Sequence, residues 1–297
     1  MVRPRAVRSS SGGGASESIS GLSWDGTAVD GTVKRGFYIP AGAANGCDAT
    51  PCTLLMQQLH RDQVGTTERF YTGVFYGNHE DFDDFSNYGL AYWGFHGYPI
   101  GASGSGTICL ELAGGVGFGT PTDDTTRDDG SQPAIGFDVW AKRAIVTNHI
   151  GTGLWTRKLY CDLPSTSTAN LISNDRFNSA ADVEPPVPVF MFGQTGQRID
   201  PPNNGVGRSW GGQIRYEEFS GVQRAIQIYN EALSEAHVIA LSAKETNAEV
   251  LAYCSANSIT SLWYLNMNPT PSDVTNKGGS GPNGVWDGAN RPSQWTP

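Results

Sequence analysis

The sequence predicts an all-β protein: an antiparallel β-sandwich with one or two short C-terminal helices and extended termini. Its 297 residues include 38 Gly and 17 Pro, and only 16% are charged, which suits short strands joined by many turns. Several short segments combine aliphatic, β-branched and aromatic side chains and are bounded by Gly or Pro. The aromatic content of 10% supplies the apolar area that a core requires.

The chain begins with a basic arm, residues 1–20. Arg3, Arg5 and Arg8 are followed there by a tract of Ser and Gly. Such a composition buries too little surface to order itself, so we predict a flexible arm or a segment that orders on a partner. The arm also lacks the apolar stretch of a secretion signal, which predicts synthesis in the cytoplasm without export.

The sandwich is predicted over residues 21–245. Thr53–His60 is a mostly apolar run, and Phe70–Tyr76 carries aromatic side chains at both odd and even positions, that is, on both faces of a strand. Both segments have the length and composition of strands. Residues 77–99 mix acidic side chains with many aromatic rings, and the glycines among them exclude a long helix.

A different pattern begins at residue 246. Thr246 and Glu249 have the spacing of a capping box, and Val250 and Cys254 lie on one face, which predicts a helix over residues 247–256. The run 263–267 predicts one further strand.

The tail from residue 269 to residue 297 is rich in Pro, Gly, Asn and Ser and carries Trp286 and Trp295. Tryptophan in a polar tail indicates docking, either across the chain's own domain or on a neighbouring subunit.

Three parts of the second half resemble laminin-G-like (concanavalin A-like) jelly-roll domains. Residues 142–149 and 157–163 resemble a hairpin of that family, although Leu163-Pro164 stands where the family often has a Gly turn. Residues 190–193 resemble a later strand, and Ile228-Tyr229-Asn230 with the following Ala-Leu-Ser resembles the closing strand and turn.

The resemblance covers about residues 137–241 and implies a concanavalin-like jelly roll. Within it, Ser234 is expected to cap a helical turn, with Tyr229 and Leu233 packed inward. Function does not follow from the fold, because such sandwiches occur in lectins, adhesion modules, glycan-cleaving enzymes and virion proteins.

Net charge and hydropathy argue against binding to polyanions and against a membrane span. The formal net charge of −9 disfavours nucleic acid and anionic membrane surfaces as targets of the body of the protein. No run of about 18 apolar residues occurs, so no membrane span is predicted.

A glycan site is the best candidate for recognition in the aromatic stretch. Sugar rings stack on Trp or Tyr faces while Asp and Asn bind hydroxyls, so Asn78, Asp81, Trp93 and Tyr98 form a chemically sensible set. The alternative is that these rings belong to the core.

Calcium is a second candidate ligand, because laminin-G-like domains often hold one Ca²⁺ at a sandwich rim. Asp81, Asp83 and Asp84 would supply the oxygen ligands. The alternative is a solvated acidic loop, and no other cofactor is predicted.

Cys47 and Cys52 are close enough in sequence to close a small disulfide loop, or they are two thiols in a turn. The total of five cysteines argues against a fully oxidised framework. Cys109 and Cys161 alternate with apolar neighbours and are expected to be small core residues.

Catalysis is not predicted. The Glu-x-Asp-x-x-Glu strand of concanavalin-like retaining glycosidases does not occur in the sequence. Gln58-Leu59-His60 reproduces the Gln-x-His element of alginate-lyase-like sandwiches, and Tyr71 or Tyr76 could serve as the phenol. The Arg-bearing strand of that family is missing, so a polysaccharide lyase is the alternative rather than the leading hypothesis.

The leading hypothesis is a non-enzymatic structural or adhesive β-sandwich displayed on a larger assembly, namely a bacteriophage virion surface protein of the capsid-decoration or tail-associated kind. Its partners are expected to be other subunits, contacted through the arm and the tail, with polysaccharide binding and homo-oligomerisation as further expectations. The second alternative is a free, secreted, calcium-dependent lectin-like module.

Overall fold

The structure is a computed structural model that describes residues 19–26, 35–47, 51–61, 71–78, 93–97, 138–151, 154–160, 163–164, 171–177, 188–193, 198–199, 214–215 and 219–297. In chain order the strands are β1 (Gly21–Asp25), β2 (Phe37–Pro40), β3 (Cys52–His60), β4 (Tyr71–Asn78), β5 (Trp93–Gly97), β6 (Trp140–Gly151), β7 (Leu154–Tyr160), β8 (Leu171–Phe177), β9 (Pro188–Phe192), β10 (Arg198–Ile199), β11 (Ile214–Arg215), β12 (Ser220–Tyr229), β13 (Leu262–Asn266), β14 (Val285–Trp286) and β15 (Ser293–Trp295). The helices are α1 (Glu235–Ser242) and α2 (Asn247–Ala256), and a 3-10 turn spans Ala43–Asn45.

Most of these strands belong to two antiparallel sheets. The larger sheet has the order β15-β1-β12-β3-β6-β7-β8, with β13 also paired to β12. The smaller sheet has the order β14-β2-β9-β4-β5, and β10 and β11 form a separate pair. Two packed antiparallel sheets with two short helices confirm the predicted β-sandwich.

Strand β12 organises the larger sheet. Its first half pairs with β1 and its second half with β13, so these two strands follow one another along the same edge of β12. A β-bulge between Arg224 and Gln227 separates the halves, and Ala225 adopts a left-handed φ of 55° there. The bulge bends β12 and reorients the side chains on either side of it.

The main core lies between the two sheets. Leu54 of β3 and Ile228 of β12 point inward from the larger sheet and are fully buried. Phe37 and Phe192 from the smaller sheet stack with ring centroids 4.8 Å apart. Full burial of side chains of this size stabilises the fold by about 1.5–3 kcal/mol each.

The two helices cover part of the outer face of the larger sheet and form a second apolar cluster. Leu55 and Tyr229 point outward from the sheet and pack against Val238, Leu241 and Val250 of the helices. Where the helices cover them, strands β3 and β12 are therefore buried on both faces, which explains the consecutive apolar residues Leu54-Leu55-Met56 in β3. Tyr229 and Leu233 are buried, as the sequence predicts.

Local capping determines where both helices begin. The Ser234 hydroxyl accepts a hydrogen bond from the His237 amide, so Ser234 caps α1 as predicted. At α2, the Thr246 side chain accepts from the Glu249 amide while the Glu249 carboxylate accepts from the Thr246 amide. This capping box confirms the predicted helix over residues 247–256.

The C-terminal tail lies across the chain's own sandwich. Its strand β14 pairs with β2 at one edge of the smaller sheet, and β15 pairs with β1 at one edge of the larger sheet. Trp286 packs edge-on against Phe37 at 5.5 Å. Of the two predicted kinds of docking, the structure shows the tail docked on the chain's own domain. The tail is thus part of the sandwich rather than a separate extension.

Candidate functional site

A group of half-exposed side chains lies on the outer face of the larger sheet, beside the area that the helices cover. Gln57 shares this face with Leu55, because alternate residues of β3 point to the same side. The Arg224 Nε donates a hydrogen bond to the Gln57 Oε1 at 2.9 Å, which places Arg224 of β12 on this face. Trp140 of β6 and Trp295 of β15 lie against Arg224.

We call Trp140, Arg224 and Trp295 the platform. The two indole rings meet edge to face, with centroids 5.0 Å apart and an interplanar angle of 68°. The Arg224 Cζ lies 4.5 Å from the Trp140 centroid and 5.4 Å from the Trp295 centroid. A guanidinium held over two rings in this way makes cation–π contacts with both, so the three side chains fix one another's orientation.

The sequence builds the platform from distant parts of the chain. Trp140 begins β6, whereas Trp295 belongs to the last strand, whose backbone pairs with Gly21 of β1. A Cβ atom at Gly21 would lie 2.9 Å from the Val222 Cγ1 and 3.3 Å from the Arg224 Cβ. A side chain at position 21 would therefore collide with Val222 and the Gln223 carbonyl oxygen and crowd the base of Arg224, which explains why glycine occurs there.

The surroundings of the platform carry further cations. Lys142 lies beside Gln57 in the register of β6 and β3, and Arg61 donates a hydrogen bond to the Ser23 hydroxyl at 2.9 Å. Burial lowers the pKa of Arg224, an effect that the carboxylate of Glu245 opposes. Arginine keeps its charge at neutral pH in proteins, so the platform presents a cation between aromatic faces.

A small cleft opens between the platform and the end of α1. It is lined by Leu55, Met56, Gln57, Lys142, Ala225, Gln227 and Ser242. Its volume of about 10 Å³ accommodates one water molecule rather than a sugar ring. Recognition of a larger ligand here would therefore take place on the open face of the platform.

A second group of polar side chains lies inside the sandwich. Gln58 of β3 stands opposite Gln223 of β12, and both are fully buried on the core side of the larger sheet. Arg143 of β6 is on the same side, opposite Met56, with 1% of its surface exposed. Neither amide atom of the Gln58 side chain has a hydrogen-bond partner among the described residues.

The burial of Gln58 bears on the lyase alternative. Gln58 and His60 have the same parity in β3, as the Gln-x-His element requires. A polysaccharide would have to contact the Gln58 amide, but this side chain is enclosed between the two sheets with 0% exposure. The described geometry thus offers a polymeric substrate no access to Gln58.

The predicted glycan residues are only partly described. Trp93 of β5 pairs with Tyr76 of β4, and Asn78 ends β4 two residues further on. The backbones of Asn78 and Trp93 therefore come together at one end of the smaller sheet. Asp81 and Tyr98 lie outside the described residues, and the glycan site at these four positions stays a prediction.

The calcium prediction also concerns residues outside the described ranges, because Asp81, Asp83 and Asp84 all lie there. Within the described ranges, no group of three or more His, Cys, Asp or Glu side chains is arranged to hold a metal ion. In the same part of the chain, no helix is long and apolar enough to cross a membrane.

Cys47 and Cys52 are both thiols with 0% exposure in the main core. Burial raises the pKa of Cys52 well above its ordinary value, and the neighbouring Cys47 raises it further. The two thiols are thus neighbours, as a disulfide would require, and the disulfide itself stays a prediction. Cys109 and Cys161 lie outside the described residues.

Sequence reasoning missed the platform. Trp295 was expected to dock, but nothing in the sequence relates it to Trp140, 155 positions earlier, or to Arg224. The available signal was weak: a tryptophan in a polar tail indicates a contact without indicating the partner.

Comparison with known proteins is limited to the fold. No protein-family model and no curated protein matches the chain. Among solved structures, it is similar to a native heptameric SAP-like pentraxin from Limulus polyphemus, with 12% identity and a TM-score of 0.39 over 76% of this chain and 82% of that one. Scytalido-glutamic peptidase with a peptide-based transition-state analogue shows 12% identity and a TM-score of 0.35 over 74% and 85%.

A third similar structure is the full-length tailspike protein 2 from Escherichia coli O157:H7 bacteriophage CAB120. It shows 15% identity and a TM-score of 0.33 over 72% of this chain, which spans 26% of the tailspike chain. At these identities no function is carried over. The chain is an antiparallel β-sandwich, and its laminin-G-like assignment stays a hypothesis.

Proposed function

We propose that this chain is a non-enzymatic, adhesive β-sandwich that binds a glycan at the platform and is carried on a larger assembly, the surface of a bacteriophage virion. The observation that carries the proposal is the platform itself, two half-exposed indole rings 5.0 Å apart around one guanidinium. Aromatic faces offer sugar rings an apolar surface, and neighbouring N–H donors bind hydroxyl groups.

The platform is ordered before any ligand arrives. Trp140 and Trp295 each belong to a strand of the larger sheet, and Arg224 is tied to Gln57 by its Nε. Little side-chain entropy remains to be lost on binding, which favours recognition by surfaces of this kind.

Two observations favour a binding role over catalysis. The platform combines indole and guanidinium groups without the pair of carboxylates that glycoside hydrolysis commonly requires. In addition, Gln58, which a lyase would need at its surface, is buried. A lyase remains the alternative, and it predicts unsaturated uronate products when the protein is incubated with acidic polysaccharides.

Attachment to a larger assembly would use the basic arm. The last residue of the arm, Ser20, is anchored by two hydrogen bonds to Asn268, from its amide to the side chain and from its hydroxyl to the backbone carbonyl, both at 3.2 Å. The described end of the arm is therefore held at a defined point beside β1. Because the tail belongs to the sandwich, the arm is the segment that we propose for contacts with other subunits.

Glycan binding is tested by comparing two tryptophan variants. Trp140→Ala removes one face of the platform, so we expect its affinity for a glycan bound by the wild type to fall about tenfold or more. Trp286→Ala is the matched control, because Trp286 also packs under an arginine, Arg291 at 4.8 Å, but lies at the edge of the smaller sheet.

Glycan array screening followed by titration calorimetry measures both variants, with circular dichroism as the check on folding. Equal losses in the two folded variants, or no glycan bound by the wild type, would contradict the proposed site. A chelator that abolishes binding would support the calcium-dependent lectin alternative instead.

The assembly part of the proposal has a separate test. Size-exclusion chromatography with light scattering compares the full chain with a version lacking residues 1–18. If both are monomers, and mass spectrometry finds no trace of the polypeptide in purified virions, the proposed display on an assembly is wrong. Oligomers or particle association that depend on the arm are the expected result.

A further inference from the structure

We infer that the glycan recognised by the platform is an acidic polysaccharide, whose carboxylate or sulfate groups bind Arg224 and Lys142. This inference rests on the proposed function and specifies its ligand. It depends on the charges around the platform rather than on its rings.

The register of the larger sheet aligns the relevant side chains in one row. Arg224 of β12 pairs with Gln57 of β3, and Gln57 pairs with Lys142 of β6. Residues directly opposite one another in adjacent strands project to the same face. The row therefore places one cation on each side of Gln57, on the sheet face that carries Trp140 and Trp295.

Arg224 has guanidinium N–H groups that are available to a ligand. Its Nε is engaged with Gln57, and its planar group lies against the rings of Trp140 and Trp295. Its two terminal nitrogens donate no hydrogen bond to any described residue. A guanidinium in this state offers the paired N–H groups that bind a carboxylate or sulfate in bidentate fashion.

The local charge is opposite to that of the whole protein. The formal net charge is −9, yet Arg224 and Lys142 project from strands of this face, and Arg61 follows β3 and bonds Ser23 of β1. The acidic group that acts on Arg224 is Glu245, an exposed residue between the two helices. The three cations outnumber this carboxylate, and an anionic ligand would be concentrated beside them.

The spacing suits a polymer with regularly placed anionic groups. Strand β3 lies between the strand of Arg224 and the strand of Lys142, so the backbones of these two residues are about 9–10 Å apart. A saccharide chain that crosses the strands can stack a ring on the platform and place acidic substituents near both cations. Nucleic acid is disfavoured because its dense phosphates would meet the negative charge of the remaining protein surface.

Binding is measured by titration calorimetry with four probes: polygalacturonate, dextran sulfate, neutral dextran and a single-stranded oligonucleotide. At 50 mM salt we expect at least one of the two acidic polysaccharides to bind about tenfold more tightly than dextran. The preference should shrink as added salt screens the exposed charges.

Four variants separate charge from shape. Arg224→Met and Lys142→Met each remove a cation and keep much of the side-chain length, and each should reduce the preference for the acidic polysaccharide severalfold. Glu245→Gln removes the opposing carboxylate and should tighten acidic binding. Arg291→Met is the matched control because Arg291 lies over Trp286 in the smaller sheet. It should change neither the preference for the acidic polysaccharide nor the affinity for it.

The outcomes distinguish the inference from the function on which it rests. Equal binding of dextran and the acidic polysaccharides overturns the acidic specificity and leaves glycan binding intact. No binding of any polysaccharide, here or on the array, overturns the proposed function. Tighter binding of the oligonucleotide overturns the ligand class. Should Arg224→Met fail to fold, Lys142→Met and Glu245→Gln still decide the outcome.

Discussion

The side chain of Asn276 should be one of the most sensitive positions in the C-terminal tail. Its Oδ1 accepts hydrogen bonds from the amides of Leu265, Gly278 and Gly279 at 3.1, 3.3 and 2.9 Å. Its Nδ2 donates to the carbonyl oxygens of Trp263 and Gly281, both at 2.8 Å. One amide thus connects β13 to the turn that leads into β14.

The expected loss on Asn276→Ala follows from these five hydrogen bonds. Each contributes about 1 kcal/mol net, and the exposed Gly278 amide can turn to water, so the free energy of unfolding should fall by about 3–5 kcal/mol. That is a large fraction of the about 5–15 kcal/mol that stabilises a typical domain.

Urea unfolding monitored by tryptophan fluorescence measures this loss. Limited proteolysis adds a local readout, since release of the turn should expose residues 269–297 to cleavage before the rest of the chain unfolds. Asn290→Ala is the control, because Asn290 is an exposed asparagine of the same tail whose side chain makes no hydrogen bond to any described residue. It should unfold within about 0.5 kcal/mol of the wild type.

Asn276→Asp separates the two halves of the network. It retains the acceptor for the three amides but places an oxygen opposite the carbonyls of Trp263 and Gly281. We expect it to be destabilised about as much as the alanine variant, because the donors are lost and like dipoles face each other. An alanine variant within about 1 kcal/mol of the wild type would refute the reasoning.

Three further predictions concern stability. Thr246→Ala removes half of the capping box of α2 and should lower the free energy of unfolding by about 1 kcal/mol in urea titrations, whereas an unchanged midpoint would contradict the role of the cap. Gly279→Ala would place a Cβ 2.1 Å from the Trp263 carbonyl oxygen, so we expect a loss of about 1–3 kcal/mol or more, and wild-type stability would show that the turn can move. Burial raises the pKa of Tyr264 in the folded protein while the unfolded chain ionises normally near pH 10, so stability should decline as pH rises above about 10, and urea midpoints that stay constant between pH 8 and 11 would contradict this.

Several parts of the fold were predictable because their causes are local. The bounds of α2 follow from Thr246, Glu249 and the apolar face that includes Val250, all within one segment. Strand β3 coincides closely with the apolar run 53–60. Hydrogen bonds and periodicities that span a few residues are visible in a sequence without knowledge of the fold.

Strands β14 and β15 were not predictable in the same way. They contain two and three residues, too few for a period, and each exists because it pairs with a strand near the start of the chain. The sequence indicated only that Trp286 and Trp295 would dock. Their partners, Phe37 for the first and Trp140 with Arg224 for the second, depend on how the sheets close.

The sequence by itself determined the class of this protein, an antiparallel β-sandwich with short capped helices, because composition, strand-length apolar runs and caps act over short distances along the chain. Only the tertiary structure decided which surface is a candidate site. The platform joins the first residue of β6, the middle of β12 and the last strand, and no local rule relates residues so far apart. Its cations become neighbours of its rings solely through the order and register of the strands between them.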